Sequence, residues 1–157
     1  MTNGIRTLLP SVSQIGFVVA DLQSALGVFE PLFGPFTVKR FDNRGFEYRG
    51  RRADCVLDVA FGMTGPIELE LLCPVSGEGP HRDFLAAGRT GMHHFQYRYV
   101  NIDSTVRRLE SEGYERIWYK RLSGDCAVAY MERRDTPMIL ELVEPLERAD
   151  RTRAADW

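Results

Sequence analysis

Residues 69–74 read LELLCP, and residues 140–145 read LELVEP. Both copies follow the pattern L-E-L-x-x-P, and each closes a stretch in which strand-like and helix-like segments come in the same order. A repeat that shows in the residues as well as in the order of elements indicates a duplicated unit. The chain is therefore predicted to contain two tandem modules of about equal length, one over about 11–75 and the other over about 90–146.

The first module is predicted to run β-α-β-β-β. Residues 12–20 form an apolar, β-branched run typical of a strand. Asp21 offers an N-cap for the amphipathic segment LQSALGVFEPLFG. Three further strand-like runs follow, separated by Asn/Gly, Arg-rich and Met-Thr-Gly-Pro connections, at 36–41, 55–61 and 67–72.

The second module repeats this order after a short helical piece, DFLAAG. MHHFQYRYV is strand-like, Asp103 is predicted to cap the next helix, and Gly113 to end it. The runs ERIWYKRL, CAVAYMER and PMILELVEP supply three more strands. The predicted fold class is α+β, with two βαβββ modules forming a curved mixed sheet around a central cavity in one domain, and a charged tail at 147–157.

Composition limits the classes of partner. The 157 residues suffice for one domain with a substantial core. Twenty Lys+Arg against 22 Asp+Glu give a net charge of −2, so nothing favours nucleic acid or an anionic membrane as partner. No apolar run approaches the length of a membrane span, no secretory signal is evident, and the three cysteines form no CxxC pair. A cytoplasmic protein that acts on a small molecule is expected.

The glutamates of the two L-E-L strands are the first candidate site residues. Glu68 and Glu70 share one face of their strand, which is also what an antiparallel strand with one solvated face looks like. Glu141 has apolar neighbours on both faces. A carboxylate in a buried strand needs a partner, so Glu141 is the stronger indication of a site.

The doublet His93-His94 lies in the strand that opens the second module. Because side chains alternate along a strand, the two imidazoles are predicted on opposite faces, so that only one can enter a given cavity. His94 shares its face with Met92, Gln96 and Arg98, a company that suits a ligand, whereas His93 shares its face with aromatic residues. The alternative for His94 is a satisfied core histidine, and His81, in a loop, is expected on the surface.

The candidate site residues lie at equivalent positions of the two modules. Gln14 and His94 occupy the same place in the two modules, as do Glu70 and Glu141. Four positions related by one pseudo-twofold axis converge if the two modules face each other. Each of the four alone has an ordinary structural interpretation.

These residues resemble the vicinal oxygen chelate superfamily, which includes glyoxalase I and methylmalonyl-CoA epimerase. The resemblance covers about residues 11–146, and its most specific part is the stretch G-M-H-H-F-x-Y-R-x-V with F-L and G upstream. In the epimerase branch the second histidine of such a doublet binds metal. The resemblance therefore implies a metal site with the ligands Gln14, Glu70, His94 and Glu141.

The ligand set departs from the epimerase pattern at two of its four positions. That branch typically has His where this chain has Gln14, and Gln where it has Glu70; the set Gln, Glu, His, Glu is similar to that of eukaryotic-type glyoxalase I. The lack of the first His argues against extradiol dioxygenase chemistry. Two glutamates neutralise one divalent cation, and the oxygen-rich set suits Zn, Co, Ni, Mn or Mg.

The function predicted is a divalent-metal-dependent isomerase or epimerase that abstracts a proton next to a carbonyl or thioester. The candidate bases are Glu141, Glu70 and Asp58. Asp58 falls near the place of an acid in the epimerase branch, and burial would raise its pKa, although a solvated edge position is an equal alternative. A glyoxalase I-like lyase and a metal-free small-molecule-binding protein of the same fold are the alternatives for the function.

Three residues on the strand of the His doublet are candidates for contacts with the substrate. Arg98 is a candidate to reach a substrate carboxylate or phosphate, and a structural salt bridge is its ordinary alternative. Met92 and Gln96 are expected to line the same cavity. The resemblance also implies a homodimer, because members of this family often pair through their modules to complete the barrel or to bury an exposed sheet edge.

Overall fold

The computed structural model describes residues 8–123, 126–136 and 138–144. Within these ranges the order of elements confirms the α+β class and the repeated βαβββ module. The predicted tail at 147–157 lies outside the described residues. The elements are β1 (Gln14–Val18), α1 (Leu22–Phe33), β2 (Thr37–Tyr48), β3 (Arg51–Thr64), β4 (Ile67–Gly77), α2 (Pro80–Ala86), β5 (Gly91–Arg98), α3 (Asp103–Ser111), β6 (Glu115–Ser123), β7 (Cys126–Glu132) and β8 (Ile139–Val143).

The eight described strands form one closed barrel in the order β1-β4-β3-β2-β6-β7-β8-β5. Each half has the same internal order, and its first strand lies parallel to its last, β1 with β4 and β5 with β8. The halves join at two antiparallel seams. The longer seam pairs β1 with β5, and the shorter pairs β2 with β6 only at Glu47↔Tyr119 and Tyr48↔Trp118. The predicted sheet around a cavity is thus closed rather than open at its edges.

Strand β2 is longer than the sequence predicted. The Asp-Asn-Arg-Gly segment after Phe41 was expected to be a connection, but it continues the strand through a register shift between Asn43 and Phe46. There the Gly45 backbone N–H donates to Asp54 Oδ1 at 2.7 Å. The true turn is at Arg49 and Gly50, whose φ values of 47° and 77° suit a two-residue hairpin of the type that matches strand twist.

The two predicted helix caps have different outcomes. Asp21 caps α1 as predicted, with its Oδ1 accepting from the Ser24 backbone N–H at 2.7 Å. Asp103 is not a cap, because it is the first residue of α3 and its own backbone N–H donates to Asn101 Oδ1 at 2.9 Å. The residue at the N-cap position, Ile102, makes no capping side-chain bond.

The long helices lie on the outside of the barrel. Leu22 and Leu26 of α1 pack on Ala60 and Leu71, which are outward positions of β3 and β4. On α3, Val106 and Leu109 pack in the same way on the second half. Because strand residues alternate between faces, the intervening residues point into the barrel, where they line a cavity. No helix of the described part is long and apolar enough to cross a membrane.

The close approach of β4 to β3 at Gly77 makes a testable prediction. Gly77 has φ 85°, and a methyl group there would lie 2.1 Å from the Asp54 carbonyl oxygen. Gly88 has φ 73° but open space around it. Gly88→Ala should therefore lower the free energy of unfolding by about 1 kcal/mol from backbone strain alone. Gly77→Ala should lower it clearly further, as measured by urea denaturation, and equal losses would contradict this packing.

Candidate metal centre and its cavity

A cavity of about 390 Å³ lies inside the barrel. Both halves line it. Its polar part carries carboxylate, amide and imidazole groups, and the rest of its wall is mainly apolar. Its polar and charged lining residues are Gln14, Thr37, Lys39, Asn43, Glu68, Glu70, His81, Gln96, Arg98 and Glu141.

Glu70 and Glu141 line this cavity, and both contact the fully buried His94; the three residues are called here the Glu–His–Glu cluster. His94 Nε2 lies 3.3 Å from Glu70 Oε2 and 3.2 Å from Glu141 Oε2. His94 is fully buried, and the two carboxylates are nearly so. Within the described part of the chain, His94 Nε2 and Glu70 Oε2 are buried atoms that make no hydrogen bond. Since buried polar atoms are normally paired, the cluster fits a ligand between its three side chains.

Gln14 adjoins the cluster on β1. Its Nε2 donates to Glu68 Oε1 at 2.9 Å, which fixes the orientation of the amide. Its Oε1 accepts from Gln96 Nε2 at 2.8 Å. The structure thus brings together all four residues implied as metal ligands, from β1, β4, β5 and β8.

Gln96 is central to this arrangement. Besides the bond to Gln14, its Nε2 donates to Glu141 Oε2 at 3.0 Å, and Ser13 Oγ donates to its Oε1 at 3.1 Å. Both amide hydrogens of Gln96 are therefore used to position oxygen atoms of two candidate ligands. Gln96 lines the cavity as expected. Its amide holds the side chains of Gln14 and Glu141 in place by hydrogen bonds and is not itself one of the candidate ligands.

Gly16 gives His94 the room it needs. The two residues are partners across the β1–β5 seam. A methyl group on Gly16 would lie 2.1 Å from His94 Cε1 and 2.3 Å from His94 Nε2. The ring therefore rests directly on the backbone of β1, and only glycine permits this approach.

A β-bulge in β5 overturns the predicted separation of the two histidines. Gly16 pairs with His94 but Phe17 pairs with Met92, so His93 is the extra residue. Both imidazoles are buried, and His93 Nδ1 lies 3.0 Å from His94 Nδ1. The far side of the His94 ring is thus held by His93, leaving Nε2 toward the carboxylates.

His81 and Tyr130 line the cavity, although the sequence did not predict either of them there. His81 was expected on the surface, but it is 5% exposed, and its Nε2 lies 3.1 Å from the Tyr130 hydroxyl. His81 is the second residue of α2, and the Gly-Pro pair that suggested a loop supplies the N-cap, Gly79, and the first residue, Pro80, of this helix.

Burial and charge set the protonation of these groups. Burial alone would lower the pKa of His94, but Glu141 and Glu70 outweigh it and raise the pKa to about 9. Burial raises the pKa of Glu70 and lowers that of His81 to about 3. At neutral pH and without a metal, His94 is thus a cation between carboxylates, while His81 is neutral.

Two predicted site residues lie elsewhere. Asp58 is on the outer face of β3, where Arg40 Nε and Nη2 donate to its two oxygens at 2.6 and 2.7 Å. The expected rise in its pKa is wrong, because the bonds from Arg40 outweigh its slight burial and lower the pKa. Met92 is 52% exposed and does not line the cavity, since the bulge at His93 breaks the alternation that would have put it beside His94. Arg98 lines the cavity as expected.

The donor set fits a divalent cation. Two carboxylates balance the charge of one ion, and an imidazole nitrogen and an amide oxygen add neutral donors. Three of these groups already place one atom each within 4.8 Å of the others. His94 Nε2 and Glu70 Oε2, which face each other at 3.3 Å without a hydrogen bond, are the atoms that an ion would use in place of their mutual contact.

Comparison with known proteins identifies the family and the fold. The profile of the Glyoxalase/Bleomycin resistance protein/Dioxygenase superfamily matches residues 13–130. No curated protein matches the chain.

Solved structures share the fold at low identity. Methylmalonyl-CoA epimerase from Mycobacterium tuberculosis has a TM-score of 0.64 at 19% identity, covering 93% of this chain and 95% of that one. A variant of the Streptomyces coelicolor epimerase in complex with 2-nitronate-propionyl-CoA has a TM-score of 0.63 at 19% identity, covering 86% and 94%. A hypothetical protein from Bacillus halodurans C-125 has 0.62 at 21%, covering 88% and 96%.

The contact between Gly16 and His94 yields a prediction with a matched control. Gly16→Ala should displace the His94 ring and reduce zinc affinity at least about tenfold, the lower end of the effect of disturbing a ligand's support. Gly27→Ala, in helix α1 with open space around it, should leave zinc affinity unchanged. Calorimetric titration of the two variants measures both values. Unchanged affinity in Gly16→Ala would show that zinc does not use His94.

The raised pKa of His94 predicts proton release. Below pH 9 the metal-free imidazole is protonated, so binding a dication at Nε2 must expel a proton. Zinc binding at pH 7.5 should release about one proton from His94, and this release should fade as the pH rises through 9. Without metal, the stabilisation from His94 should be complete below about pH 6.5 and be lost as the pH rises through 9. Zinc calorimetry in two buffers of different ionisation enthalpy counts the protons, and no release at pH 7.5 would contradict the assignment.

Proposed function

Because the chain belongs to the Glyoxalase/Bleomycin resistance protein/Dioxygenase superfamily, we propose that it is a divalent-metal-dependent isomerase or epimerase. It would remove a proton from a carbon next to a carbonyl or thioester group. The observation that carries this proposal is the Glu–His–Glu cluster, whose buried His94 Nε2 and Glu70 Oε2 make no hydrogen bond among the described residues.

Gln14, Glu70, His94 and Glu141 are the residues that would hold the ion. When bound, such an ion supplies Lewis-acid polarisation of a substrate oxygen, which acidifies the neighbouring C–H bond. The donor set accommodates Zn, Co, Ni, Mn or Mg. Gln96 and His93 keep these side chains in place by the hydrogen bonds already described.

Glu70 and Glu141 are the groups that would move the proton, each acting when its carboxylate has left the ion. They come from matching positions of the two modules and lie on His94 Nε2 at similar distances, 3.3 and 3.2 Å. Inverting a stereocentre requires that one group remove the proton from one face of the carbon and another return it to the other face. Two symmetry-related carboxylates support this arrangement, and burial raises the pKa of Glu70 toward the range useful for a base. Asp58 has no part in it, because it is held by Arg40 on the outer face.

A glyoxalase I-like lyase is the second candidate. The observation that favours it is the donor set itself, because Gln14, Glu70, His94 and Glu141 all meet at one cavity and the set Gln, Glu, His, Glu resembles that of eukaryotic-type glyoxalase I. The proton transfer is the same in both cases, and the substrates differ. A structural neighbour with an acyl-CoA derivative bound supports a thioester for the first candidate.

Assembly and location stay predictions. The β2–β6 seam pairs only Glu47 and Tyr48 of β2, so residues 37–46 have a strand neighbour on the β3 side alone among the described strands, and this edge supports a homodimer. A homodimer in the cytoplasm is proposed, with a small molecule as the partner of the cavity.

Elemental analysis tests the proposal directly. Wild-type protein after mild dialysis should hold about one equivalent of a divalent metal per chain, and His94→Ala should hold none. Glu141→Gln should weaken binding, and Asp58→Asn, which changes a carboxylate outside the cavity, should not. Exchange of the α-proton in deuterated water is then measured with thioesters and hemithioacetals.

The outcomes separate the classes of function. Exchange with thioesters supports the epimerase, and exchange with hemithioacetals supports the lyase. Absence of metal in wild-type protein, with none taken up on addition, would overturn both and leave a small-molecule-binding protein.

A further inference from the structure

Two cationic side chains line the cavity, Lys39 from β2 and Arg98 from β5. Both are half-buried. Among the described residues neither makes a hydrogen bond or ion pair, although three acidic side chains line the same cavity. Neighbouring arginines on β2 behave differently: Arg40 pairs with Asp58 and Arg44 with Asp42, each at 2.6 Å.

Unpaired charges in a concave wall cost free energy, because the wall removes part of their hydration. A ligand anion repays this cost with charge-assisted hydrogen bonds. The paired arginines show that this chain has acidic partners for the outward side chains of β2 and leaves the inward Lys39 without one. The charge of the cavity wall therefore favours an anionic ligand.

The cavity wall formed by β3, beside the strand β4 that carries Glu70, is apolar. The inward residues of β3 carry no carboxylate, and they are Cys55, Leu57, Val59 and Phe61. Phe41 packs edge-on against Phe61, with ring centroids 6.0 Å apart, and Trp118 adds a third aromatic side chain. Such a surface binds an apolar or aromatic group, and the volume of about 390 Å³ suits one small molecule.

From these two features we propose that the cavity binds a small organic anion with an apolar, preferably aromatic, body. The body contacts β3, Phe41 and Trp118, and Lys39 and Arg98 supply the positive charge for the anionic group. For the proposed isomerase this names the part of the substrate that the cavity would hold, either a free acid or the acidic acyl part of a thioester, and it rests on that function only in calling the ligand a substrate. Binding itself depends on the wall and not on the metal.

A pair of probes that differ only in charge tests the proposal. 1-Naphthylacetate and 1-naphthylacetamide share one apolar body, and each is titrated by calorimetry into the full-length protein after chelator treatment and again with zinc. We expect the carboxylate to bind about tenfold more tightly than the amide, as expected for a charge-assisted hydrogen bond. Lys39→Met/Arg98→Met should remove the preference while still binding the amide.

Controls separate the cavity from the overall charge. Arg107→Met/Arg108→Met removes two positive charges from helix α3, outside the cavity lining, and should keep the preference. Thermal unfolding of each variant shows that it is folded. Free coenzyme A should not displace naphthylacetate, because the anionic group of a small acid is the one bound inside.

Several results would overturn the inference. These are equal affinities for the two probes, no binding of either probe, a preference that persists in Lys39→Met/Arg98→Met, or displacement by coenzyme A. Its failure is distinct from failure of the proposed function. A protein that holds zinc but binds both probes alike keeps the metal centre and loses this ligand class, and a protein that selects naphthylacetate without holding zinc keeps the ligand class and loses the isomerase.

Discussion

The pairing of β1 with β5 is the constraint on which the centre of this molecule depends. It joins the two halves of the barrel and sets Gln14 opposite Gln96 and Gly16 opposite His94. Because Gly16 has no side chain, the imidazole rests on the backbone of β1 and reaches the carboxylates that β4 and β8 supply. The parallel pairs β1–β4 and β5–β8 then fix the heights of Glu70 and Glu141 on either side. Every other feature of the site is arranged around this seam.

Much of this arrangement could be predicted from the sequence because it follows from repetition. The two L-E-L strands place Glu70 and Glu141 at equivalent positions, and equivalent positions of facing modules meet. Alternation along β5 correctly put Gln96 and Arg98 on the cavity side with His94. The helix cap at Asp21 was predicted correctly, because it depends on one hydrogen bond to a residue three positions further along the chain.

The predictions that were wrong concern residues where a β-bulge interrupts the alternation of a strand, or where a position depends on contacts with residues far away in sequence. The bulge at His93 cannot be predicted from alternation, and it reverses the expected positions of both His93 and Met92. His81 and Tyr130 are far apart in sequence and meet only because α2, which packs on β1 and β4, brings His81 to Tyr130 of β7. The apolar neighbours of Asp58 suggested that it is buried. In the structure these neighbours, Leu57 and Val59, face the cavity, and Asp58 therefore lies on the outer face of β3. The position of His81 could have been predicted from Gly79-Pro80 directly before it. Proline is common in the first turn of a helix, so this pair indicates that His81 belongs to a helix and not to a loop.

Because the site is divided between two modules, a ligand that binds it would stabilise the contact between the two halves. Gln14 and Glu70 belong to one half, and His94 and Glu141 to the other. Most contacts within each half are hairpins between strands that follow one another, so each half can form locally, whereas the β1–β5 seam requires both. A ligand that touches both halves binds only the docked state and stabilises it by RT ln(1 + [L]/Kd). The ligand must then dissociate before the two halves separate. A higher ligand concentration therefore lowers the rate at which proteases cleave the opened chain.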